Sequence, residues 1–408
     1  MADVIIIGAG PAGLIAAIEA AGNGHMVTLL EKNAKVGRKL YISGKGRCNI
    51  TNNCDVNTLI NNTPGNGNFL YSAFFKFNAQ DIMQYFNELG VETKTERGNR
   101  VFPESDRASD VVDALYNKVI KSGVKLILNA TVTKVDTGSK SVKYKCANSN
   151  ISIKYDKLII ATGGASYPLT GSTGDGYRFA EAAGHTVTAL KPSLIPFVTK
   201  EEWISQLQGL SLKNVNIKLT KNGTDKVFED FGEMLFTHYG VSGPLILSAS
   251  SHIRDFDYDG LELAIDLKPA LTEEQLDERV KRDFSNNLNK NFANSLSALL
   301  PQSLIPVIVR LSGIEESKPV NQITKEERLT LVKTIKNFKI TPIAPRPIED
   351  AIITAGGINI KEINPKTMES KMVEDLYFAG EIIDVDAYTG GFNLTIAFST
   401  GYTAGQLQ

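Results

Sequence analysis

The sequence predicts an α/β chain in which a parallel-sheet, nucleotide-binding domain is interrupted by an insertion. Three observations predict it. The chain opens with an apolar run and then spaced glycines, "DVIIIGAGPAGLIAA" from Asp3 to Ala17. The same style returns at "KLIIATGG" (Lys157–Gly164), and after Ala344 in "AIITAGGI", "LYFAGEIIDVD" and "TGGFNLTIAFSTGYTAG". From Pro192 to Ala344 the pattern changes to alternating stretches and amphipathic helices. A continuous β-branched run marks a strand buried on both faces, whereas alternation marks a half-buried one.

Taken in order, Val4–Ile7 reads as a buried strand, Ala12–Asn23 as a helix rich in alanine, and His25–Leu30 as a second strand ending at Glu31. The stretch "VGRKLYISGKGRCNITNN" (Val36–Asn53) is polar and glycine-rich, too poor in periodic apolar residues for a regular element; long uncovered loops of this kind are usually functional. Helices are expected at Ala79–Leu89 and Ala108–Ser122. Alternation at Lys125–Val135 and Ser141–Tyr155 predicts a small antiparallel layer. Beyond Pro192, Val198–Phe236 reads as short strands, Leu261–Leu267 as one more strand, and Thr272–Asn291 and Lys325–Ile335 as helices. The expected division is 1–191 plus 344–408 for the first domain, with 192–270 and 271–343 as two inserted pieces.

Composition narrows the function classes. A chain of 408 residues supports two or three domains. Its 44 Lys and Arg offset 45 Asp and Glu, which gives no reason to expect a polyanion or an anionic membrane as partner. The helical stretch from Glu273 to Phe338 carries ten Lys and Arg against nine Asp and Glu, so no basic stripe stands out there and no nucleic acid is expected. Apolar runs are strand-sized, too short for a membrane span. Cys48, Cys54 and Cys146 are too few and too unevenly spaced for a disulfide framework. His25, His185, His238 and His252 form no metal-ligand cluster, so no metal is expected. A cytoplasmic protein acting on a small molecule is the expectation; the oligomeric state is left open.

In Gly8-Ala9-Gly10-Pro11-Ala12-Gly13 the spacing is G-x-G-x-x-G. The first glycine permits a tight turn, the second lets backbone approach a pyrophosphate, and the third packs helix against strand. The helix N-terminus then offers free N–H groups and a positive dipole end. A strand precedes the motif, a helix follows, and Glu31 lies 18 residues past Gly13, placed to accept hydrogen bonds from ribose hydroxyls. These residues predict a bound dinucleotide. NAD would need nothing further. FAD, being longer, needs contacts for its ribityl chain and ring, and Ile159–Gly164, Tyr377–Ile382 and Thr389–Gly401 supply candidates. Their order and joint presence favour FAD.

In "GAGPAGL", "VGRKLYISGKGRCNITN", "NRVFPESDRASDVV", "ATGGASYPLTGSTGDGY", "LFTHYGVSGP", "ITAGGI", "TMESK" and "YFAGEIIDVDAYTGGFNL" the chain resembles the aminoacetone oxidase or bile-acid-inducible family of FAD-binding NAD(P)/FAD-dependent oxidoreductases. The resemblance runs from residue 8 to residue 394. It implies an FAD-binding, two-dinucleotide Rossmann-type domain with an inserted β-barrel-like region and a small helical region. It implies FAD, with NAD(P)H as a transient donor, and activities as different as amine oxidation and reduction of a conjugated C=C bond in a steroid. Carried over by position, FAD contacts are expected from Gly8, Gly10, Pro11, Ala12, Gly13, Glu31, Lys32, Arg38, Lys39, Ser43, Gly44, Gly46, Arg47, Cys48, Asn49, Val132, Ala161, Thr162, Gly163, Gly164, Asp175, Gly380, Glu381, Asn393 and Leu394. Ala387 stands where the pattern expects glycine, which bears on local loop geometry.

Flavin carries the electron chemistry, and the protein supplies orientation and electrostatics. Lys45 and Arg47 are candidates for a cation that stabilises reduced flavin, or else they pair with phosphate or surface carboxylates. Cys48 reads as a packing residue, since no C-x-x-C partner exists. His238 in "FTHYGVSGP" is the candidate acid–base group, beside a bracing role in the insertion. His25 and His185 read as surface punctuation. A plain NAD dehydrogenase, a nucleic-acid-associated protein and a flavin-binding regulator without catalysis are the competing readings.

Overall fold

The computed structural model describes residues 1–147, 149–253 and 257–407 of the chain. Two compact units emerge, Met1–Ser193 with Pro347–Gln408, and Leu194–Arg346.

The first unit is built on a five-stranded parallel sheet. Its order is Leu376–Phe378, Lys157–Ile160, β1 (Asp3–Ile7), β2 (Met26–Leu30) and Lys125–Ile127. All four pairings are parallel, with Ile7 opposite Ile160 on one side and Leu30 on the other. Parallel pairing requires crossovers, and the first is α1 (Pro11–Gly22), which starts with proline at its first turn and Gly10 as N-cap. Eight of its residues are buried, because the sheet lies on one side and the C-terminal helix Phe392–Gly405 on the other. That second contact is close. A Cβ on Gly401 would lie 2.3 Å from the Ala12 carbonyl oxygen, and one on Gly405 2.7 Å from that of Ala16.

Two antiparallel three-stranded layers flank this sheet: Thr51–Asn52, Arg100–Pro103 and Thr93–Glu96, and Ala130–Asp136, Ser141–Cys146 and Ser149–Lys154. The expected antiparallel layer therefore begins at Ala130, while Lys125–Ile127 joins the parallel sheet instead. Its short apolar run cannot distinguish the two by periodicity. Residues 36–53, read as lacking regular structure, contain α2 (Arg38–Gly46), which is interrupted at Ser43–Lys45 by non-helical backbone. The glycines that mask the helical pattern are the ones that break the helix.

The second unit is one antiparallel sheet with helices packed on it. The strand order is Phe338–Ile340, Leu261–Asp266, Ser211–Lys221, Asp225–Phe236, Gly240–Ser242, Phe197–Thr199 and Pro342–Pro345. Only Thr341 separates the first strand of that order from the last, so the sheet curls until its edges meet. Ser211–Lys221 and Asp225–Phe236 are long strands of 11 and 12 residues rather than short ones. The helices Glu273–Ser285 and Lys325–Lys336 share one hydrophobic core with this sheet, through Leu276, Val280, Leu331 and Ile335 beside Ile265 and Phe338. Ala344, expected to reopen the first domain, pairs with Val198 inside this sheet. Each unit has its own core.

Replacing Gly401 with valine forces side-chain atoms into the Ala12 backbone, and overpacking of this kind costs roughly 1–3 kcal/mol or more. The variant is expected to unfold at lower temperature than the parent by several degrees in a differential scan, and an unchanged transition would contradict the packing described.

Candidate functional site

The glycines of the first turn are required by close backbone approach. Gly8 has φ +102°, and a Cβ there would lie 2.5 Å from the Ala161 carbonyl oxygen. A Cβ on Gly13 would lie 1.9 Å from the carbonyl oxygen of Gly8 itself. Gly10, by contrast, faces open space within 4 Å and caps α1 with no side-chain hydrogen bond. Helix amides without a capping side chain, beside an open position, make a place where an anion is favoured.

Parallel strands deliver their C-terminal ends to the same edge, which is where ligands of such sheets bind. Gly8 to Gly13, Glu31, Ala161–Gly164, Gly380 and Glu381 follow four of those ends and so meet there. Glu31 is buried; one carboxylate oxygen accepts from the Ala9 N–H (2.9 Å) and the other from the Asn33 backbone (2.8 Å) and side-chain amide (2.7 Å). Its loop also holds Ala130, whose N–H donates to the Glu31 carbonyl, and so fixes the strand bearing Val132.

Several expected contact residues have partners within the chain. Lys32 pairs with Asp175 at 2.8 Å and also donates to Thr173. Desolvation opposes the Asp175 charge, but Lys32 and Thr173 outweigh it and hold its carboxyl below the usual range. Arg38 donates to the Asn33 side-chain oxygen. Lys39 donates to Glu381 and Ser166, both at 2.7 Å, while the other Glu381 oxygen accepts from the Thr354 N–H and the Ser166 hydroxyl. Asn393 is engaged by its own loop: it accepts from the Ala387 N–H and donates to the Ala387 and Tyr388 carbonyls. Ala387 is not among the positive-φ residues, so a Cβ costs nothing there.

The Ser43–Asn49 loop is unusual in backbone. Gly44, Lys45, Gly46 and Cys48 all have positive φ, between 57° and 82°. Two of these are non-glycine residues held in a conformation that side chains disfavour, a pattern that gathers at functional sites. Arg47 is not free to face a ligand. Glu96 and Asp106 both pair with its guanidinium, which lies 4.1 Å from the Phe102 ring centre. Cys48 is fully buried and burial pushes its thiol up to about 12; Cys54, half-buried, is pushed up to about 11. Neither is a thiolate at neutral pH.

His238 lies in the second unit, exposed in the turn between Asp225–Phe236 and Gly240–Ser242, its ring edge-on to Tyr239 at 4.9 Å. His185, read as surface punctuation, is buried; it hydrogen-bonds Ser370 at 2.8 Å and packs on Phe378, and burial lowers its pKa. Sequence reasoning did not single out Ser166, Thr354 or Asp386. Asp386 accepts from Ser193 at 2.7 Å, and burial raises its pKa. Only the acidic run "EIIDVD" hinted at it.

This edge suits a dinucleotide in shape and in polarity. The Gly8–Gly13 turn leaves no room for side chains but leaves Gly10 open, and the buried Thr162 hydroxyl and Asn49 side-chain oxygen have no partner within the described chain. Both polar atoms belong to segments at or beside this edge. The residues fit the group.

Residues 2–407 match the family described as HI0933-like protein Rossmann domain. The chain belongs to that family. It is a family of FAD-dependent oxidoreductases. The HI0933-like chain is 30% identical to 3-dehydro-bile acid delta(4,6)-reductase of Clostridium scindens, over 98% of this chain and 97% of that one. It is 32% identical to ribosomal RNA dihydrouridine synthase of Haemophilus influenzae, over 98% and 96%. Among solved structures, 3-ketosteroid delta1-dehydrogenase of Sterolibacterium denitrificans has a TM-score of 0.56 at 13% identity, covering 99% of this chain and 98% of that one, a likeness of fold. No helix among the described residues is long and apolar enough to cross a membrane.

Two outcomes test the site. Removing the Glu31 carboxylate takes away the acceptor expected for the ribose hydroxyls, a loss of about 1–3 kcal/mol for a hydrogen bond to a charge. Glu31→Ala is therefore expected to weaken cofactor retention roughly 5- to 150-fold, measured as flavin absorbance kept through gel filtration; full retention would remove Glu31 from the site. Iodoacetamide at pH 8 should leave Cys48 unlabelled in the folded protein and label it in urea, read by mass spectrometry.

Proposed function

We propose that this chain uses FAD to reduce a C=C bond conjugated to a carbonyl group, with NAD(P)H as the electron donor, in the cytoplasm. The observation that carries the reading is the assembly of the Gly8–Gly13 turn, Glu31, Ala161–Gly164 and Gly380–Glu381 at one sheet edge, in a chain whose full-length relatives include two with names that each describe saturation of a C=C bond. A delta(4,6) bond in a 3-oxo steroid and the bond saturated when uridine becomes dihydrouridine are both conjugated to a carbonyl. FAD, when bound and reduced by NAD(P)H, would supply a hydride to the β-carbon of such a bond, and the α-carbon would take its proton from water.

The chain's own residues bind and hold. The α1 N-terminus presents its amides to a pyrophosphate, and Glu31 presents carboxylate lone pairs to a ribose. Lys39, fixed by Glu381 and Ser166, keeps a cation beside the Gly380 turn without an unpaired buried charge. Arg47 serves the Glu96–Asp106 cluster rather than substrate, and His238 is an exposed side chain of the second unit.

Denatured protein is expected to release FAD, not FMN or NAD, on chromatography. In anaerobic stopped-flow, NADPH or NADH should bleach the flavin, and a 3-oxo-Δ4 steroid or uridine-containing ribosomal RNA should restore its absorbance. Reduction by amines, with no reoxidation by either conjugated substrate, would replace this reading with amine oxidation.

A further inference from the structure

Residues 163–175, "GGASYPLTGSTGD", leave the strand Lys157–Ile160 and end at the start of the helix Asp175–Ala182. This segment is held at two places. At the first, the Ala165 and Ser166 N–H groups donate to the Thr354 hydroxyl at 2.9 and 3.0 Å. The buried Ser166 hydroxyl donates to Glu381 at 3.0 Å and accepts from Lys39 at 2.7 Å. At the second, the Asn33 side-chain amide donates to the Thr170 carbonyl at 3.2 Å, and Lys32 reaches Thr173 and Asp175. Gly171 packs so closely there that a Cβ would lie 2.4 Å from the Asn33 amide nitrogen. The stretch between is stiff. The Thr170 N–H and hydroxyl both donate to the Tyr167 carbonyl at 2.8 Å, and the Gly171 N–H donates to that of Pro168 at 3.0 Å.

The strand order fixes where this segment runs. Glu381 follows the strand Leu376–Phe378, while Lys32 and Asn33 follow β2. The ends of Lys157–Ile160 and β1 lie between those two strands, so the segment crosses the edge beside the Gly8–Gly13 turn. Asn33 ties it to the site directly, because the same amide donates to Glu31 at 2.7 Å. Glu31 is 7% exposed, so a ribose reaches its carboxylate only as Asn33 and its neighbours give way. From α2, the Gly37 N–H donates to the Ala9 carbonyl at 2.9 Å, and Lys39 lies 5.8 Å from the Tyr167 ring centre. The two attachments differ in strength. Breaking the Ser166 end would strand buried hydrogen-bonding groups together with half of the Lys39–Glu381 pair, which is costly. The Lys32 end is partly exposed, where an ion pair contributes little and parts easily. Ser166 is the hinge and the Lys32–Asn33 end the latch.

We propose that residues 166–173 form a strap that must part from Lys32 and Asn33 for the dinucleotide to enter or leave. Lys32 and Asp175 then set the rate of cofactor exchange rather than its affinity. They are positioning residues, not the FAD contacts that the family resemblance implies. The latch is made within the chain and is the same before the cofactor enters and after it is bound. A contact common to both states cancels from the affinity and raises the barrier in both directions. A residue that bonds the cofactor behaves otherwise, since its loss speeds release and weakens binding by one factor. The inference needs FAD as the ligand and nothing about the reaction, so it holds whichever substrate is reduced.

The test uses the FAD-loaded full chain. Release is followed as exchange of bound FAD for radiolabelled FAD, and Kd as the flavin retained on serial dilution and ultrafiltration. Asp175→Asn and Lys32→Met are each expected to speed release roughly 3- to 20-fold. Their Kd should stay within about twofold of the parent. Thr173→Ala, at an exposed position, should speed release in the same way by a smaller factor. Glu31→Ala supplies the contrast, with release and Kd rising together. The melting temperature of each loaded variant reports folding. Faster release matched by an equal rise in Kd at Lys32 and Asp175 would overturn the latch and make both residues cofactor contacts. Unchanged release in all three latch variants would overturn the strap.

Discussion

The first unit depends on backbones meeting where no side chain fits. Gly13 sits against the carbonyl of Gly8, Gly8 against the end of the Lys157–Ile160 strand, and Gly401 and Gly405 against the carbonyls of α1. These approaches fix α1 between the parallel sheet and the C-terminal helix, and thereby fix where its free amides point. A methyl group at any of them must push two elements apart, and close-packed interiors do not absorb such shifts locally. The site is a by-product of that packing: strand ends and a helix start converge on one edge because the glycines let them.

Around that edge, charge is handled by pairing. Lys32 with Asp175, and Lys39 with Glu381, are half-buried pairs whose remaining lone pairs are satisfied by Thr173, Ser166 and Thr354. A cation left alone there would bear a desolvation cost, and completing the hydrogen bonds offsets it. Asp384 and Asp386 differ, since burial raises both and their partners are neutral donors such as Asn66 and Ser193.

The second unit solves a separate problem. Its sheet curls until its two end strands, Phe338–Ile340 and Pro342–Pro345, follow one another through Thr341. The turn carrying His238 is fixed by Gly240, whose would-be Cβ lies 2.1 Å from the Phe197 carbonyl oxygen. "FTHYG" is thus a tight backbone approach as much as a chemical motif.

What the sequence determined by itself was local. The Gly8–Gly13 spacing, the parallel strands written as continuous apolar runs and Glu31 at the end of β2 were legible, because each requirement lies within a few residues. The break in α2 was legible as glycines, though the helix around it was not. What only the tertiary structure decided was partnership. Arg47 meets Glu96 49 residues away, Lys39 meets Glu381 342 away, and Asn52 reaches Gly390 338 away. His185 is buried against Phe378 and Ser370, and Lys125–Ile127 joins β2 in parallel. No periodicity records which distant segment a side chain will face. That choice is made when separate elements pack, where the free energy depends on contacts between them rather than on either sequence alone.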